Sequence, residues 1–414
     1  MFRHGIVVIG LGYIGLPTCA AIAARGVSVT GVDNNPCTVA EINAGRSPLF
    51  EPDLGVAVAG AVARGLLTAT TEVPTADAFL IAVPTPFTDD HRPDLSYVRA
   101  ATASIAPRLR GGEVVILEST SPPGTTLQIS RWLSEARPDL TFPHQPGVSD
   151  VHVAHCPERV LPGRIMIEMV TNARLVGGLT PACSAKAAAV YRLFCKGEIP
   201  LTDATSAEMA KLTENSFRDV NIAFANELAA VCEEVDVDVW EVIRLANHHP
   251  RVNILSPGPG VGGHCIAVDP WFIVSAAPSQ TRLIRTAREV NDARPGSVVD
   301  AVAAAVGTMV DPVVACLGLA FKANVDDLRG SPAVDITRRV ALRMPGAFVL
   351  AAEPHIGKLP SVLDEVPNLA FECAADAVAK ADVVVLLVDH NQFHTITRAD
   401  LAGKRVVDTR GFFR

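Results

Sequence analysis

The chain has 414 residues, of which 49% are hydrophobic and 5% aromatic, and its formal net charge at pH 7 is −8. This length exceeds what one hydrophobic core usually serves, so two or three domains are expected. The negative charge argues against nucleic acid or an anionic membrane as a partner, and no apolar run is long enough to cross a bilayer. The nine cysteines form no CxxC pair, which argues against a metal site or a disulfide framework and favours reduced thiols in a cytoplasm.

Strands and helices alternate in the first part of the chain. Residues 5–17 predict a buried strand, a glycine turn and the start of a helix. Apolar runs at 78–86 and 113–124 follow, and both end in loops rich in proline, threonine and serine. Strands of a doubly wound sheet end in such loops at the edge where ligands bind. We therefore assign residues 1–200 to a first α/β domain.

A dinucleotide-binding fingerprint lies at the start of this domain. Gly10, Gly12 and Gly15 have the spacing GxGxxG between a predicted strand and a predicted helix, and Asp33 ends the next strand 18 residues after Gly15. The glycines let a pyrophosphate approach the backbone at the helix N-terminus. Because a carboxylate accepts hydrogen bonds from a ribose 2′-hydroxyl and repels a 2′-phosphate, Asp33 favours NAD over NADP.

The rest of the chain divides into a helical part and a second α/β part. A helical pattern without glycine or proline covers 203–235, and a glycine-rich stretch at 256–270 separates it from a second helical pattern. We assign residues 201–304 to a helical middle domain. Residues 305–414 alternate again between strands and helices. The predicted fold class is thus α/β, with two Rossmann-like doubly wound parallel-sheet domains joined by a helical middle domain.

Six motifs carry a resemblance to a known family. In chain order they read "GLGYIGLP", "VPTP", "CPERVLPG", "EMAKLTENSFRDVNIAFANE", "GPGVGGHCIAVDP" and "FKANVDDLRGSP". Over essentially its whole length the chain resembles the UDP-glucose/GDP-mannose dehydrogenase family, and most closely the branch acting on UDP-N-acetyl-D-mannosamine. The resemblance implies that the 305–414 domain binds the UDP-sugar, and it implies a cytoplasmic enzyme of polysaccharide biosynthesis.

The family oxidises C6 of a nucleotide sugar from the alcohol through the aldehyde to the carboxylate, and two NAD molecules are reduced. The resemblance implies that Cys265 is the nucleophile of this reaction. Its thiolate adds to the aldehyde to give a thiohemiacetal, and loss of the second hydride leaves a thioester that water opens. The glycine-rich turn presents the thiol, and a helix starting in the following run would favour the thiolate.

Further catalytic roles follow from the same resemblance. Lys211 is expected to stabilise the oxyanion at C6 with Asn215 as a helper, and their spacing of four places both on one face of a helix. Asp269 is expected to pair with the lysine and to help activate the hydrolytic water. Glu158 is expected to do acid/base work around the thiohemiacetal and thioester, and Thr120 to lie near the nicotinamide and that water.

The resemblance also assigns contacts to both ligands. The residues expected to contact NAD are Gly10, Gly12, Tyr13, Ile14, Gly15, Asp33, Pro84, Thr85, Thr120 and Arg329. Those expected to contact the UDP-sugar are Glu158, Arg159, Val160, Lys211, Asn215, Arg251, Gly262 and Lys322. Lys322 and Arg329 stand at a strand-to-helix junction, where basic groups suit a phosphorylated ligand, and Arg410 is expected to join them. Arg251 is expected to reach the active site of a neighbouring subunit, which predicts a homodimer.

Two departures from the family pattern bear on the substrate. Val268 stands where the UDP-glucose branch commonly has lysine, which favours an acetamido sugar. Gly330 stands where close relatives usually have glutamate, so a possible partner of a nearby cation is missing. UDP-N-acetylglucosamine, UDP-N-acetylgalactosamine and UDP-glucose remain alternative substrates. A two-electron hydroxyacid dehydrogenase and a non-catalytic NAD-binding protein are more remote alternatives, since neither needs Cys265.

Overall fold

The computed structural model describes residues 2, 4–49, 51–88, 90–160, 163–263 and 265–414. The chain separates into two compact units. The first contains Met1–Glu214 and Trp271–Pro278, and the second contains Asn215–Pro270 and Ser279–Arg414. Parts of two quoted motifs, Leu161–Pro162 and His264, lie outside the described residues.

The described strands form two sheets. The first sheet contains β1 Ile6–Ile9, β2 Val29–Val32, β3 Leu67–Thr70, β4 Ala78–Ile81, β5 Val114–Leu117, β6 His152–His155, β7 Val176–Gly178 and β8 Leu201–Asp203. The second contains β9 Val313–Leu317, β10 Phe348–Ala352, β11 Leu369–Phe371, β12 Val383–Leu386 and β13 Arg405–Asp408. β8 extends the first sheet three residues beyond position 200; the predicted domain boundaries themselves stay a prediction.

The described helices surround these sheets and form most of the middle of the chain. The α-helices are α1 Gly15–Ala23, α2 Pro36–Asn43, α3 Leu54–Ala63, α4 Ser96–Ile105, α5 Thr125–Ala136, α6 Ile165–Thr171, α7 Pro181–Tyr191, α8 Ala204–Glu234, α9 Val239–Ala246, α10 Asp269–Ala276, α11 Arg282–Val306, α12 Pro332–Arg343, α13 Ser361–Asp364 and α14 Ala374–Lys380. Two 3₁₀ helices cover Ala106–Arg108 and Asn391–Thr395. Within the described parts of the chain, no helix is long and apolar enough to cross a membrane.

The first sheet has the strand order β3-β2-β1-β4-β5-β6-β7-β8. Its described pairs are parallel except β6 with β7, which is antiparallel. Alternate residues of the buried strands face opposite layers. Val8 and Leu80 lie in one hydrophobic cluster, and Val7 and Phe79 lie in another. Strands covered on both faces need apolar residues at every position, which explains the unbroken apolar runs in the sequence.

The second sheet has the order β11-β10-β9-β12-β13, and its described pairs are all parallel. It repeats the two-sided burial of the first sheet, since Cys316 and Val385 lie in one cluster while Leu317 and Leu386 lie in another. Two Rossmann-like sheets and a helical middle region confirm the predicted fold class. The one antiparallel pair is the departure from the prediction.

Several helix starts follow from the local sequence. Asn35, Thr180 and Ser331 each precede a proline, and each side chain accepts a hydrogen bond from a backbone N–H of the first turn. A polar cap followed by proline is a favoured helix start, because proline lacks an N–H that would otherwise be unsatisfied. α11 also contains Pro295 in its interior and still continues to Val306.

A buried polar network connects α8 and α11 in the second unit. Arg288, 1% exposed, donates to Asp219 at 2.6 Å and also pairs with Asp292. Asn291 donates to the Asp219 carboxylate at 2.8 Å. Asn226 donates to the Asn291 side-chain oxygen at 2.9 Å. Burial raises the pKa of Asp219, and the Arg288 guanidinium opposes that rise. The Asp219–Arg288 pair therefore connects the long helices α8 and α11.

Replacing Arg288→Met should lower the free energy of unfolding by about 3–5 kcal/mol, because it leaves the buried Asp219 without its cation. Arg244→Met is the matched control, since Arg244 forms an exposed pair with Glu241 at 2.5 Å on α9. That change should leave the stability close to that of the wild type, because water screens an exposed pair. Chemical denaturation of the three proteins measures both effects. Equal stability of the two variants would contradict the assignment of stability to the buried pair.

Candidate functional site

The glycine turn after β1 leaves room for a ligand at only one of its three glycines. A Cβ on Gly10, whose φ is +93°, would lie 2.4 Å from the Ala82 carbonyl oxygen. A Cβ on Gly15 would lie 1.8 Å from the Gly10 carbonyl oxygen. A Cβ on Gly12 would meet no described atom within 4 Å. Gly10 and Gly15 thus permit close packing, while Gly12 leaves open space at the N-terminus of α1, as a pyrophosphate requires.

Asp33 lies beside this turn. Its Oδ2 accepts from the Leu11 N–H at 2.9 Å, and its Oδ1 accepts from the Asn35 N–H at 2.9 Å. These two bonds hold a partly exposed carboxylate at the carboxyl end of β2, where it can accept from a ribose hydroxyl. Tyr13 and Ile14 are half-buried in the same turn. The Asp33 carboxylate and the open space at Gly12 fit a dinucleotide.

The loops after β4 and β5 are joined to each other. The Thr85 hydroxyl donates to the Thr120 carbonyl at 2.6 Å, and the Ser119 hydroxyl donates to the Val83 carbonyl at 2.6 Å. Pro84 is exposed and Thr120 is half-buried. The predicted nicotinamide-side residues Pro84, Thr85 and Thr120 therefore lie together at the carboxyl edge of the first sheet.

Glu158 follows β6 and is 8% exposed. Its Oε1 accepts from the Val160 N–H at 2.5 Å. Burial raises the pKa of Glu158, and the charges of Arg174 and Lys211 act in the opposite direction. A buried carboxyl group with a raised pKa, close to positive charges, suits proton transfer. The side chain of Arg159 is engaged by Glu214, with one donor–acceptor distance of 3.3 Å.

Lys211 is half-buried in α8, and Glu208 of the same helix binds the start of α5. The Glu208 carboxylate accepts from the Gly124 N–H at 2.6 Å, the Thr126 N–H at 2.7 Å and the Thr126 hydroxyl at 2.6 Å. It thereby caps α5, although burial raises its pKa. We did not predict this role of Glu208. No local pattern in the sequence signals it, because the partners lie 82 residues apart.

In the second unit, Asn215 donates to the Asp269 carboxylate at 2.5 Å, and both side chains are buried. Cys265 is exposed, and its carbonyl accepts from the Asp269 N–H at 2.9 Å. α10 begins at Asp269, so Cys265 lies one turn before the helix. A helix therefore starts in the run after Cys265, and a separate turn precedes it.

Two of the quoted motifs pack backbone against backbone in the second unit. A Cβ on Gly262 would lie 2.5 Å from the Gly330 carbonyl oxygen and 2.5 Å from Pro332. A Cβ on Gly263, whose φ is +84°, would lie 3.0 Å from the Phe321 ring. The Gly263 N–H donates to the Gly330 carbonyl at 3.4 Å. Close approach to the 321–332 loop therefore explains why glycines occur just before Cys265.

The entry of the glycine-rich loop is held at Gly258. Its N–H donates to Asn226 at 2.9 Å, and its carbonyl accepts from Arg294 at 3.1 Å. A Cβ on Gly258 would lie 2.7 Å from the Arg410 guanidinium. Arg410 itself donates to Asp389 at 3.0 Å. Arg410 thus packs against the base of the loop that presents Cys265.

The predicted cations of the second unit differ in their surroundings. Arg329 is exposed and forms two hydrogen bonds to the Asp327 carboxylate, at 2.9 and 2.7 Å. Asp327, which sequence reasoning missed, is a carboxylate partner that does not depend on residue 330. Lys322 is half-buried with its ammonium 5.9 Å from the Phe321 ring centroid. Arg251 is exposed in the loop after α9.

The second sheet repeats the strand–turn arrangement of the first, but Glu353, its counterpart of Asp33, is already bound to His390. The Leu319 N–H donates to Glu353 at 2.8 Å, as Leu11 does to Asp33. His390 Nε2 also lies 2.9 Å from Glu353, and His390 Nδ1 accepts from the Asn324 N–H at 3.0 Å. The Glu353–His355–His390 group could hold a metal ion. The hydrogen bond from the Asn324 N–H already uses the Nδ1 lone pair of His390. Glu353 is buried, so its carboxylate is not accessible to a ribose.

Comparison with known proteins agrees with this architecture. Three models of the UDP-glucose/GDP-mannose dehydrogenase family match in order. Its NAD binding domain matches residues 4–195, its central domain 205–293 and its UDP binding domain 315–414.

Individual relatives match over almost the whole chain. An NDP-N-acetyl-D-galactosaminuronic acid dehydrogenase of Ralstonia nicotianae is 58% identical over 99% of this chain and 96% of its own length. A UDP-N-acetyl-D-mannosamine dehydrogenase of Salmonella typhi is 57% identical over 99% of each chain. The solved structure of a UDP-D-ManNAc dehydrogenase from Pyrococcus horikoshii matches with a TM-score of 0.88 at 36% identity, covering 99% of this chain and 96% of that one. From fold, glycine turn and these matches together, the chain belongs to the UDP-glucose/GDP-mannose dehydrogenase family and is an NAD-dependent nucleotide-sugar dehydrogenase.

Proposed function

We propose that the chain oxidises C6 of a UDP-2-acetamido sugar, with UDP-N-acetyl-D-mannosamine as first choice, to the uronic acid in a four-electron reaction. The observation that carries this proposal is the exposed Cys265 at the end of a tightly packed glycine loop, one turn before the buried Asn215–Asp269 pair. A thiol is needed only if the aldehyde is to be oxidised again. A two-electron hydroxyacid dehydrogenase and a non-catalytic NAD-binding protein have no use for it.

NAD, when bound, accepts the hydride in each of the two oxidation steps. After the first step, the Cys265 thiolate adds to the C6 aldehyde, and the aldehyde oxygen is held by Lys211 and Asn215 as it gains negative charge. Loss of the second hydride leaves a thioester on Cys265. Glu158 accepts a proton from the water that attacks this thioester, with Asp269 helping to orient it, and the thiolate leaves as the carboxylate forms.

The sugar assignment rests on two observations. Val268 lacks the positive charge that is common before the aspartate in the UDP-glucose branch. The relatives at 58% and 57% identity are named for N-acetyl-D-galactosaminuronic acid and for N-acetyl-D-mannosamine, and both are 2-acetamido sugars. UDP-N-acetylgalactosamine is therefore the second candidate, since the two sugars differ only in the configuration of ring carbons.

The proposed enzyme is a homodimer built on α8. Phe217, Phe224 and Val231 recur every seven residues along this helix and are 68%, 53% and 51% exposed. A heptad-spaced apolar stripe suits pairing with a second helix. Arg251 is exposed in the loop after α9, where Asn221 of α8 donates to the Asn253 carbonyl at 3.0 Å. A residue so placed can reach a partner's active site.

The stoichiometry of NADH tests the reaction. The wild-type protein should form two NADH per UDP-N-acetylmannosamine consumed, and Cys265→Ser should stall after the first oxidation, because an alcohol is a far weaker nucleophile than a thiolate. Absorbance at the NADH band, measured with a panel of UDP-hexoses and their 2-acetamido relatives, gives both stoichiometry and preference. Cys373→Ser, at another exposed cysteine, is the control and should behave as wild type. One NADH per sugar, surviving Cys265→Ser, would overturn the proposal.

Cofactor choice tests Asp33. Asp33→Asn should raise the kcat/KM ratio of NADP to NAD by about tenfold or more, because it removes the charge that repels a 2′-phosphate. The measurement is initial rates with each cofactor at a saturating sugar concentration. Asp53→Asn is the control, since Asp53 is exposed in the same unit. An unchanged ratio in Asp33→Asn would mean that Asp33 does not discriminate between a ribose 2′-hydroxyl and a 2′-phosphate.

Light scattering after size-exclusion chromatography tests the dimer. The double change Phe217→Glu and Phe224→Glu should give a monomer with little activity, because like charges would then face each other across the proposed interface. Val56→Glu, at a residue that is 79% exposed in the first unit, should remain dimeric. A wild-type monomer at micromolar concentration would contradict the proposed assembly.

A further inference from the structure

A buried polar cluster in the first unit lies at the end of β5, close in the chain to Thr120. Glu118, 1% exposed, directly follows β5 and stands two residues before Thr120. It accepts from the Tyr191 hydroxyl at 2.9 Å and from the Thr18 hydroxyl of α1 at 3.4 Å. Burial raises the pKa of Glu118 to about 7. The cluster therefore contains a carboxyl group whose charge depends on its neighbours.

Arg174 supplies the cation of this cluster. It is 4% exposed, and its guanidinium lies 3.8 Å from the Glu118 carboxylate. The same guanidinium lies 5.1 Å from the ring centroid of Tyr191 and 5.3 Å from that of Phe194. Two aromatic faces and a carboxylate fix its position and compensate its charge in the interior. Arg174 is therefore a permanent positive charge with little freedom to move.

Arg174 also acts on Glu158. The residues just before Arg174 contact the residue just after Glu158: the Asn172 amide donates to the Arg159 carbonyl at 3.2 Å, and the Arg159 guanidinium donates to the Ala173 carbonyl at 3.4 Å. The charges of Arg174 and Lys211 lower the pKa of Glu158, and the charge of Glu158 raises that of Glu118. Other titratable groups nearby are held neutral by burial, which lowers the pKa of His155 to about 3 and raises that of Cys156 to about 12. Of the two cations, Lys211 has its proposed duty at the sugar oxygen. Arg174 is the buried cation that no step of the proposed reaction uses.

A role in stability alone does not account for this arrangement. Replacing a buried ion pair by apolar side chains of similar volume is often neutral or stabilising, so the pair is weak support for a purely structural function. The cluster also lies near the residues of the proposed reaction, because Glu118 directly follows β5 and the residues before Arg174 contact Arg159, which follows β6. A buried carboxyl that must be ionised needs a nearby positive charge to offset its desolvation.

We propose that Arg174 is a positioning residue for the reaction: its buried guanidinium, anchored by Glu118, Tyr191 and Phe194, holds Glu158 ionised for its proton-accepting step. This inference rests on the proposed function, in which Glu158 accepts a proton. Arg174 acts only through the charge of Glu158.

The test is the pH dependence of kcat/KM. Arg174→Met should move the acid limb of the profile to higher pH by about one unit, because Glu158 loses a compensating charge and takes up its proton more readily. Arg174→Lys keeps the charge and should leave that limb near its wild-type position, even if it lowers stability. Arg99→Met is the matched control, since Arg99 is exposed over the Trp132 ring at 5.8 Å.

A titration without turnover separates this inference from the proposed function. The ¹³C carboxyl signal of Glu158, assigned by its loss in Glu158→Gln, should have a higher midpoint in Arg174→Met than in wild type or Arg174→Lys. An unmoved midpoint in a protein that still oxidises the sugar would overturn the role of Arg174 alone. A moved midpoint in a protein that forms no NADH would overturn the proposed function instead. Equal shifts in Arg174→Lys and Arg174→Met would show lost packing and would also refute the inference.

Discussion

Close approach of backbone to backbone is the constraint on which both units depend. In the first unit, Gly15 must lie against the Gly10 carbonyl for α1 to start directly after β1. In the second, Gly262 must lie against the Gly330 carbonyl for the glycine-rich loop to pack on the 321–332 loop. A single Cβ would push these segments apart by more than side-chain rotation can absorb. The glycine turn after β1 and the cysteine loop therefore depend on the same physical constraint.

Buried charge is the second organising feature. Glu208 caps α5, Asp219 pairs with Arg288, and Glu118 pairs with Arg174. Each places an ionisable group away from water, which is unfavourable unless hydrogen bonds and opposite charges compensate it. These buried ionisable groups lie on the long helix α8 and near the strand ends that lead to Thr120 and Glu158. Such sites are typical of enzymes that need polar groups held in one orientation.

The agreement between sequence and structure differs from element to element. The runs 78–86 and 113–124 appear as β4 and β5 at the expected places, because strands buried on both faces leave a continuous apolar signal. The antiparallel β7 was not foreseen, since its three residues "VGG" carry no such signal. The turn from Cys265 to Val268, which precedes α10, was not foreseen either, because it has no distinctive residue pattern.

The amino-acid sequence by itself determined the alternation of strands and helices in the two α/β parts, the strand–glycine turn–helix that precedes Asp33, and the family to which the chain belongs. These depend on short-range patterns: hydrophobic period, glycine spacing and contiguous motifs. Only the tertiary structure decided that Arg329 is paired with Asp327, that Glu208 caps a helix 82 residues earlier, and that Glu353 is occupied by His390. Partners far apart in the chain, or local pairs chosen by side-chain conformation, leave no periodic trace, because packing in three dimensions selects them.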